Sequence, residues 1–356
     1  MRKAQPVSEH LLHTLRSQGR FCATDSPMYA ELLELVADDV EAGGVFATIL
    51  AGHEDAPARH AVPLRLLGGL HRLALDGRAA ELRRWYPSVG GRWDAESAWP
   101  DIVRAAADQT DSLRAALGQP PQTNEVGRSA VLIGGLLHLA GQQGRRFALP
   151  VRLFEIGSSA GLNLRADHYR YHYGGGQWGP IDTPVTIDNA WQGELPPAGE
   201  VRIVERNGYD IAPLDVTSPD GEMTVLSYVW PDQRARLQRL RGAIAVARKV
   251  PARLTRQTAA EAVAGLTLSD GALTVLWHSI TWQYLSDDER TAIRDGINAV
   301  ARRADSRSPL AHLTLEPAHD GAGGGIKFLV RARSWPGGER QILGECHPHG
   351  PPVHWR

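Results

Sequence analysis

Cysteine and lysine are scarce in this chain of 356 residues, and neither sign of charge is in excess. The two cysteines, Cys22 and Cys346, lack metal-ligand or redox spacing, which excludes a disulfide framework and predicts reduced thiols. Lys+Arg number 39 against 40 for Asp+Glu, and only three of these residues are lysines. Because no polybasic block is present, we expect neither nucleic acid nor a membrane surface as a partner.

Long hydrophobic runs are also missing. Residues 1–20 carry histidines and arginines among their apolar side chains, unlike a signal peptide. The most apolar run, residues 130–140, contains two glycines and is far shorter than the roughly 20 residues that cross a bilayer. The sequence therefore predicts a cytoplasmic protein whose partner is a small-molecule substrate.

The pattern of apolar residues changes near residue 149. From about residue 8 to 144, apolar side chains recur three and four apart, which predicts helices. Beyond that point, short apolar runs alternate with helical patterns, which predicts a mostly parallel sheet with antiparallel strands added at its C-terminal edge. We predict an α/β protein with a helical domain over residues 1–148 and a Rossmann-like domain over residues 149–356.

The most informative segment begins at Val151. Its apolar run ends in Glu155 and breaks into a turn framed by Gly157 and Gly161. In a doubly wound sheet, a glycine-rich first turn lets a ligand approach the backbone beyond the end of a strand. This segment therefore predicts a nucleotide-binding loop.

The same residues also spell G-x-S-x-G, the pattern of a hydrolase nucleophile elbow, with Ser159 as the nucleophile. An acid and a histidine must then follow in chain order, and Asp270 and His347 satisfy that order. A third interpretation is a non-catalytic turn that packs a strand on a helix.

The turn resembles the first motif of class I S-adenosylmethionine-dependent methyltransferases, in which an acid ends the first strand and a G-x-G-x-G turn follows. Ser159 stands where that motif has its middle glycine. Residues 208–213 are similar to the family's second-strand segment, where a carboxylate binds the ribose hydroxyls; this implies Asp210, with Asp188 as the alternative. The resemblance thus implies S-adenosylmethionine as cofactor, bound by Glu155, Gly157, Ser159, Gly161, Asn163 and Asp210.

Residues 273–279 resemble the fourth strand of that family, whose following loop contacts the methyl acceptor. His278, at the end of this strand, is a candidate general base for a hydroxyl or amine acceptor; the alternative is a core histidine bonded to the backbone. Arg128 is a candidate for gripping a substrate carboxylate or phosphate, or else a surface partner of Glu125. Trp230 is a candidate wall of the acceptor site, or it simply precedes a helix that begins at Pro231. The substrate-binding candidates are Asn124, Arg128, Trp230 and Asp232.

His347 and His349 are weak candidates for metal ligands. In an extended segment they point the same way, with Glu345, Cys346 and His354 nearby. Because no clear third ligand stands at metal spacing, the sequence predicts no metal site.

A wider resemblance covers nearly the whole chain. It rests on QTNEVGR at 122–128, EIG at 155–157 through Asn163-Leu164, WPDQ at 230–233 with Arg236, and HPHG at 347–350. These segments are similar to a bacterial family known only as a domain of unknown function, which implies a shared fold and no particular reaction. We therefore predict a methyltransferase of a small metabolite, with a serine hydrolase or a non-catalytic binding scaffold as alternatives.

Overall fold

The computed structural model describes residues 8–142, 149–319 and 325–356. They form two compact units: a helical unit, Met1–Thr123 with Ser218–Gln238, and a sheet unit, Asn124–Thr217 with Arg239–Arg356. The predicted boundary after residue 148 lies outside the described residues. The partition differs from the predicted one because the helix that starts at Ser129 packs on strands, whereas residues 219–227 pack on a helix of the helical unit.

Helices are numbered in chain order. They are α1 (Glu9–Cys22), α2 (Pro27–Glu41), α3 (Val45–Ile49), α4 (Val62–Asp76), α5 (Ala95–Asp108), α6 (Thr110–Leu117), α7 (Ser129–Gln142), α8 (Pro219–Ser227), α9 (Arg234–Ala247), α10 (Ala259–Ala264) and α11 (Asp287–Ala301). Side-chain caps start several of them. Ser286 and Glu289 form a reciprocal capping box at the start of α11. None of the helices described here has the length and apolarity that a membrane crossing requires.

The strands all belong to the sheet unit. They are β1 (Val151–Ile156), β2 (Arg170–Tyr173), β3 (Gly176–Trp178), β4 (Thr186–Ile187), β5 (Trp191–Gly193), β6 (Ile203–Asp210), β7 (Arg253–Arg256), β8 (Leu273–Ser279), β9 (Leu310–His319), β10 (Ile326–Trp335), β11 (Arg340–His347) and β12 (Gly350–Trp355). In the described part of the chain, nine of them form one sheet in the order β5-β12-β11-β10-β9-β8-β1-β6-β7. A small second sheet has the order β3-β2-β4.

The large sheet is parallel at its centre and antiparallel toward its C-terminal strands. The strands β7, β6, β1, β8 and β9 run parallel, whereas β9 to β12 form an antiparallel meander, with β5 parallel to β12. This confirms the predicted fold class. The chain leaves β1 toward β6 and β7 and then continues on the other side with β8 and β9, so the strand order reverses between β1 and β8.

Apolar side chains on one face of this sheet pack beneath α10 and α11. Phe154 and Leu276 contribute from the strands, and Val263 and Ile297 from the two helices. The helical unit has its own core, to which α1, α2 and α4 each contribute leucines. Helix α9 begins at Arg234 and not at the predicted Pro231, because residues 230–233 form a turn closed by a hydrogen bond from the Gln233 N–H to the Trp230 carbonyl.

Candidate functional site

The turn after β1 has a left-handed backbone at three positions. The φ angle is 68° at Gly157, 50° at Ser159 and 64° at Gly161. Glycine adopts this conformation at little steric cost, whereas it is uncommon for serine. The N–H groups of Gly157 and Ser158 donate to the Tyr209 carbonyl at 2.9 and 3.2 Å. These bonds fix the turn against the end of β6.

Asp210 ends β6, and its carboxylate braces the turn. Oδ2 accepts a hydrogen bond from the Ser159 N–H at 2.8 Å, and Oδ1 accepts one from the Ala212 N–H at 2.9 Å. Each carboxylate oxygen has two lone pairs, so both can accept a further bond from a ligand. The structure therefore brings together Ser159 and Asp210, two of the residues predicted to bind the cofactor. The alternative ribose candidate, Asp188, pairs instead with His172 of the small sheet at 2.9 Å.

The two glycines of the turn make room for side chains of the protein itself. A β-carbon on Gly157 would lie 2.5 Å from Thr281 Oγ1, and one on Gly161 would lie 2.7 Å from Leu254 Cδ2. Real β-carbons essentially never come so close to another heavy atom. The glycine pattern therefore has a packing reason of its own, independent of any ligand.

Glu155 is 2% exposed, and its burial raises the pKa of the carboxyl to about 8. Trp277 and Asn163 lie close enough to oppose this shift, although the indole Nε1 of Trp277 makes no hydrogen bond. Four buried polar atoms at the turn have no hydrogen-bond partner among the described residues: Glu155 Oε2, Ser158 Oγ, Asn163 Oδ1 and Trp277 Nε1. Since buried polar groups are nearly always paired, these atoms mark a place for water or a polar ligand.

The first residues of the sheet unit contact the turn and the end of β8. The side-chain oxygen of Asn124 accepts from the Leu162 N–H at 2.9 Å. Arg128 is 8% exposed and donates to the carbonyls of Pro348 at 2.8 Å and Ser279 at 3.3 Å. Arg128 is therefore buried between two chain segments, and the alternative of a surface ion pair with Glu125 is wrong. Binding of a substrate carboxylate or phosphate by Arg128 stays a prediction.

Glu125 is also buried, at 5% exposure, and accepts from the Gly127 N–H at 2.9 Å. His349 Nδ1 lies 3.8 Å from Glu125 Oε2. The rings of His347 and His349 are 5.3 Å apart. The two histidines that the sequence offers as weak candidates for metal ligands therefore lie side by side.

Trp230 and Asp232 belong to the helical unit. Trp230 is 7% exposed in its core, with its ring 6.3 Å from that of Tyr29. The Asp232 carboxylate accepts from the Ser26 hydroxyl at 2.7 Å and from the Met28 N–H at 3.3 Å, which fixes the first turn of α2. Both residues thus have a structural role, and a substrate contact for them stays a prediction.

His278 is the centre of a buried polar array. Its Nδ1 lies 2.7 Å from Glu316 Oε1, and its Nε2 lies 3.0 Å from His312 Nε2. Glu316 Oε1 also accepts from the N–H groups of Thr281 at 3.0 Å and Trp282 at 3.3 Å. His278 is 2% exposed and bonds to side chains, not to the backbone as the alternative interpretation had it.

The pKa of His312 is held well below its usual range, because the ring is buried and lies near His278, Arg333 and Arg340. A neutral imidazole has one N–H donor and one acceptor nitrogen. If His312 Nε2 donates to Nε2 of a neutral His278 ring, Nδ1 of His278 donates to Glu316 and a lone pair is left on His312 Nδ1. In that arrangement the second nitrogen of His312 is an acceptor.

The array opens into a cavity of about 690 Å³ over one face of the sheet. Residues opposite each other on neighbouring strands share a face. The strand register places two rows of side chains on the floor: His278, Thr314 and Arg331 in one, and His312, Arg333 and Arg340 in the next. Helix α11 contributes Arg294 and Asn298 to the lining.

The sequence interpretation missed every member of this cavity except His278. The sequence does contain a pattern that points to them. His312, Thr314 and Glu316 occupy every second position of a strand-like run, and so do Arg331 and Arg333. Alternation by two places side chains on one face of a strand. Only the pairing of β8, β9 and β10 shows that the alternating residues meet.

Ser159 and Asp270 lie at opposite edges of the sheet. Ser159 follows β1 at the carboxyl edge, whereas Asp270 precedes β8 at the amino edge and binds the exposed Arg307 at 3.0 Å. A strand of this length spans roughly 20 Å. Asp270 therefore cannot orient a histidine for Ser159, which removes the acid of the predicted triad.

This geometry defines an α/β protein with a Rossmann-like sheet and polar residues at the carboxyl ends of its central strands. The chain matches the family described as "Uncharacterized protein conserved in bacteria (DUF2332)" over residues 12–355, and it belongs to that family. No curated protein and no solved structure matches it. Membership confirms the predicted kinship with a bacterial family of unknown function.

Proposed function

We propose that this protein is an S-adenosylmethionine-dependent methyltransferase that acts on a small metabolite in the cytoplasm. The observation that carries the proposal is the contact between Asp210 and the glycine turn at the carboxyl ends of β6 and β1. In open α/β sheets, ligands bind beyond the carboxyl ends of strands where the strand order reverses. Here that point lies between β1 and β8.

The residues at the turn fit the polar groups of an adenosyl cofactor. Asp210 retains acceptor lone pairs for ribose hydroxyls, and Ser158 Oγ and Trp277 Nε1 are buried donors that lack an acceptor. With its raised pKa of about 8, Glu155 is mostly uncharged at neutral pH and adds no negative charge beside the ligand. Glu155, Asn163 and the turn at Gly157 to Gly161 would complete the site.

When bound, the cofactor supplies a methyl group on a positively charged sulfur, and transfer depends mainly on alignment with the acceptor. The His278–Glu316 pair supports the predicted role of His278, since a histidine oriented by a carboxylate can hold the proton that a hydroxyl or amine acceptor releases. The pair lies close to the turn, because Thr281 both donates to Glu316 and packs against Gly157.

Isothermal titration of the full chain with S-adenosylmethionine and S-adenosylhomocysteine tests the proposal. We expect both to bind, and Asp210→Asn to weaken them about tenfold or more. Asp305→Asn is a matched control, because Asp305 also accepts two backbone N–H bonds, from Arg307 and Ser308, but lies at the amino edge. No heat with either ligand at millimolar concentration, in wild-type protein with a cooperative thermal transition, would overturn the proposal.

A serine hydrolase is the alternative that the left-handed backbone of Ser159 favours, since nucleophile elbows place their serine on a strained turn. A fluorophosphonate probe separates the two functions. Labelling of the wild type that disappears in Ser159→Ala would replace the methyltransferase proposal. A scaffold that binds the cofactor without transferring its methyl group would show binding and no labelling.

A further inference from the structure

The cavity over β8 to β11 is rich in positive charge. Four arginines line it: Arg294, Arg331, Arg333 and Arg340. Among the described residues that line it, Glu316 is the one carboxylate, and it is engaged by His278 and by two backbone N–H groups. In the part of the chain that the structure describes, none of the four arginines is ion-paired with a carboxylate.

These charges oppose one another. Burial, together with the neighbouring Arg340, lowers the pKa of Arg333. The same two arginines lie near His312 and disfavour its protonation. Like charges held together inside a concave surface raise the free energy of the unliganded protein, and an anion relieves that cost. The electrostatics of the cavity therefore match a negatively charged ligand.

Aromatic side chains position two of the arginines. The Arg333 guanidinium lies 4.6 Å from the ring centre of Trp335, and its Nε donates to the Gly338 carbonyl at 2.9 Å. Arg294 lies 5.4 Å from the ring centre of Trp282. Stacking of this kind limits the freedom of a guanidinium before a ligand arrives. The indole rings also offer apolar surface for the uncharged part of a ligand.

We propose that this cavity binds a small molecule carrying a carboxylate or phosphate group, and that His312 is the base that faces its reactive proton. The proton passes from a hydroxyl or amine of the ligand to Nδ1 of His312. The Nε2 proton of His312 passes at the same time to Nε2 of His278. Only N–H and ligand X–H bonds change, and no oxidant or further reactant is needed.

The direction of this transfer follows from the charges around the array. An imidazolium at His312 would lie beside Arg333 and Arg340, whereas an imidazolium at His278 lies 2.7 Å from Glu316. The proton is therefore better held at His278 than at the residue that receives it. His312 contacts the ligand, and His278 and Glu316 act through it as positioning residues.

The test uses inorganic phosphate and benzoate as separate probes, titrated into the full chain at low ionic strength. Binding is followed by calorimetry and by the imidazole nitrogen signals of histidine in NMR spectra. We expect millimolar binding of at least one probe, with shifts of the His312 and His278 signals. Arg340→Gln should weaken it about tenfold, and binding of only one probe would identify the anionic group.

Arg303→Gln is the control, because Arg303 is exposed after the end of α11 and is not part of the lining. His312→Gln should leave anion binding within about twofold and abolish the shift of the His278 signal, which a merely structural role of His312 would not predict. The proposal is overturned if neither probe binds, or if Arg303→Gln weakens binding as much as Arg340→Gln.

This inference does not rest on the cofactor. The probes contact residues of β9 to β11, whereas the methyltransferase proposal depends on Asp210 and the turn after β1. If the wild-type protein gives no heat with S-adenosylmethionine but binds the anions, and Asp210→Asn still binds them, the proposed anion site is supported and the proposed cofactor site is not. Cofactor binding without anion binding would support the cofactor site and contradict the anion site.

Discussion

Glu155 on β1 and Glu316 on β9 are both buried, at 2% and 6% exposure, and only β8 separates their strands. Their surroundings differ. Oε2 of Glu155 has no hydrogen-bond partner among the described residues, and burial raises the pKa of this carboxyl to about 8. Glu316 pairs with His278 and accepts from two backbone N–H groups. One carboxyl group is thus neutralised by burial, and the other is supplied with donors.

Strand β8 explains how one sheet holds both environments. Trp277 and His278 are consecutive, so their side chains point to opposite faces. Trp277 lies opposite Glu155 in the register, and His278 bonds to Glu316. Two carboxyl groups that are buried to a similar degree thus differ in the number of hydrogen-bond donors aimed at them, and burial shifts the pKa of Glu155, which has few.

Removing the carboxylate of Glu316 should have the largest effect on stability. In Glu316→Ala, the N–H groups of Thr281 and Trp282 and the ring of His278 lose their acceptor inside the protein. We expect the free energy of unfolding to fall by about 4 kcal/mol, measured by urea denaturation. Glu316→Gln, which keeps an acceptor oxygen, is the control and should lose about half as much. A loss below about 1 kcal/mol in the alanine variant would contradict the comparison.

Glu155→Gln should act in the opposite direction. The pKa of Glu155 rises from 4.5 to about 8 on folding, so folding takes up a proton between these pH values. Stability contributed by this group therefore falls as the pH rises through that range. Replacement by the uncharged amide should raise the free energy of unfolding by about 3 kcal/mol at pH 7.

The pH dependence of this gain is its control. Well below pH 4.5, Glu155 is protonated in both the folded and the unfolded state, so the difference between wild type and Glu155→Gln should vanish. Denaturation curves at three pH values measure it. A gain that is the same at all three would show that packing, and not the charge of Glu155, is responsible.

The sequence predicts the parts of the fold and of the site whose residues lie close together along the chain. Glu155, Gly157 and Gly161 form one contiguous motif, and the fold class follows from alternating patterns, so both are predictable. Asp210 is identified by a second segment, residues 208–213, whose resemblance to class I methyltransferases implies a ribose ligand. Glu316 and His312 carry no motif, and their partners on β8 and β10 are set by strand pairing. Thr281 packs against Gly157 only because β1 and β8 are neighbours, which the local pattern does not contain.

Gly157→Ala tests that packing and should have a smaller effect. The new β-carbon would lie 2.5 Å from Thr281 Oγ1, at a residue with φ of 68°. We expect a loss of about 2 kcal/mol in the free energy of unfolding, of which roughly half is backbone strain. In a double-mutant cycle, Thr281→Ala should recover the other half, because it removes the atoms that collide. Additive effects of the two substitutions would show that the clash is relieved elsewhere.

Ser159→Gly should have the smallest effect on stability and the most informative effect on binding. Glycine relieves the left-handed strain at φ of 50°, but it also gives the unfolded chain more freedom, and the two contributions, each about 1 kcal/mol, nearly cancel. The substitution restores the G-x-G-x-G spacing of the methyltransferase motif while leaving the N–H that donates to Asp210. If the turn holds the adenosyl cofactor, titration calorimetry should show binding as tight as in the wild type or tighter, whereas a hydrolase that relied on Ser159 would lose its labelling. The opposite outcome is a Ser159→Gly protein that stays folded but no longer binds a cofactor that the wild type binds. It would mean that the serine hydroxyl contacts the ligand. The turn would then bind its ligand differently from the methyltransferase motif, through the residue at which its sequence departs from that motif.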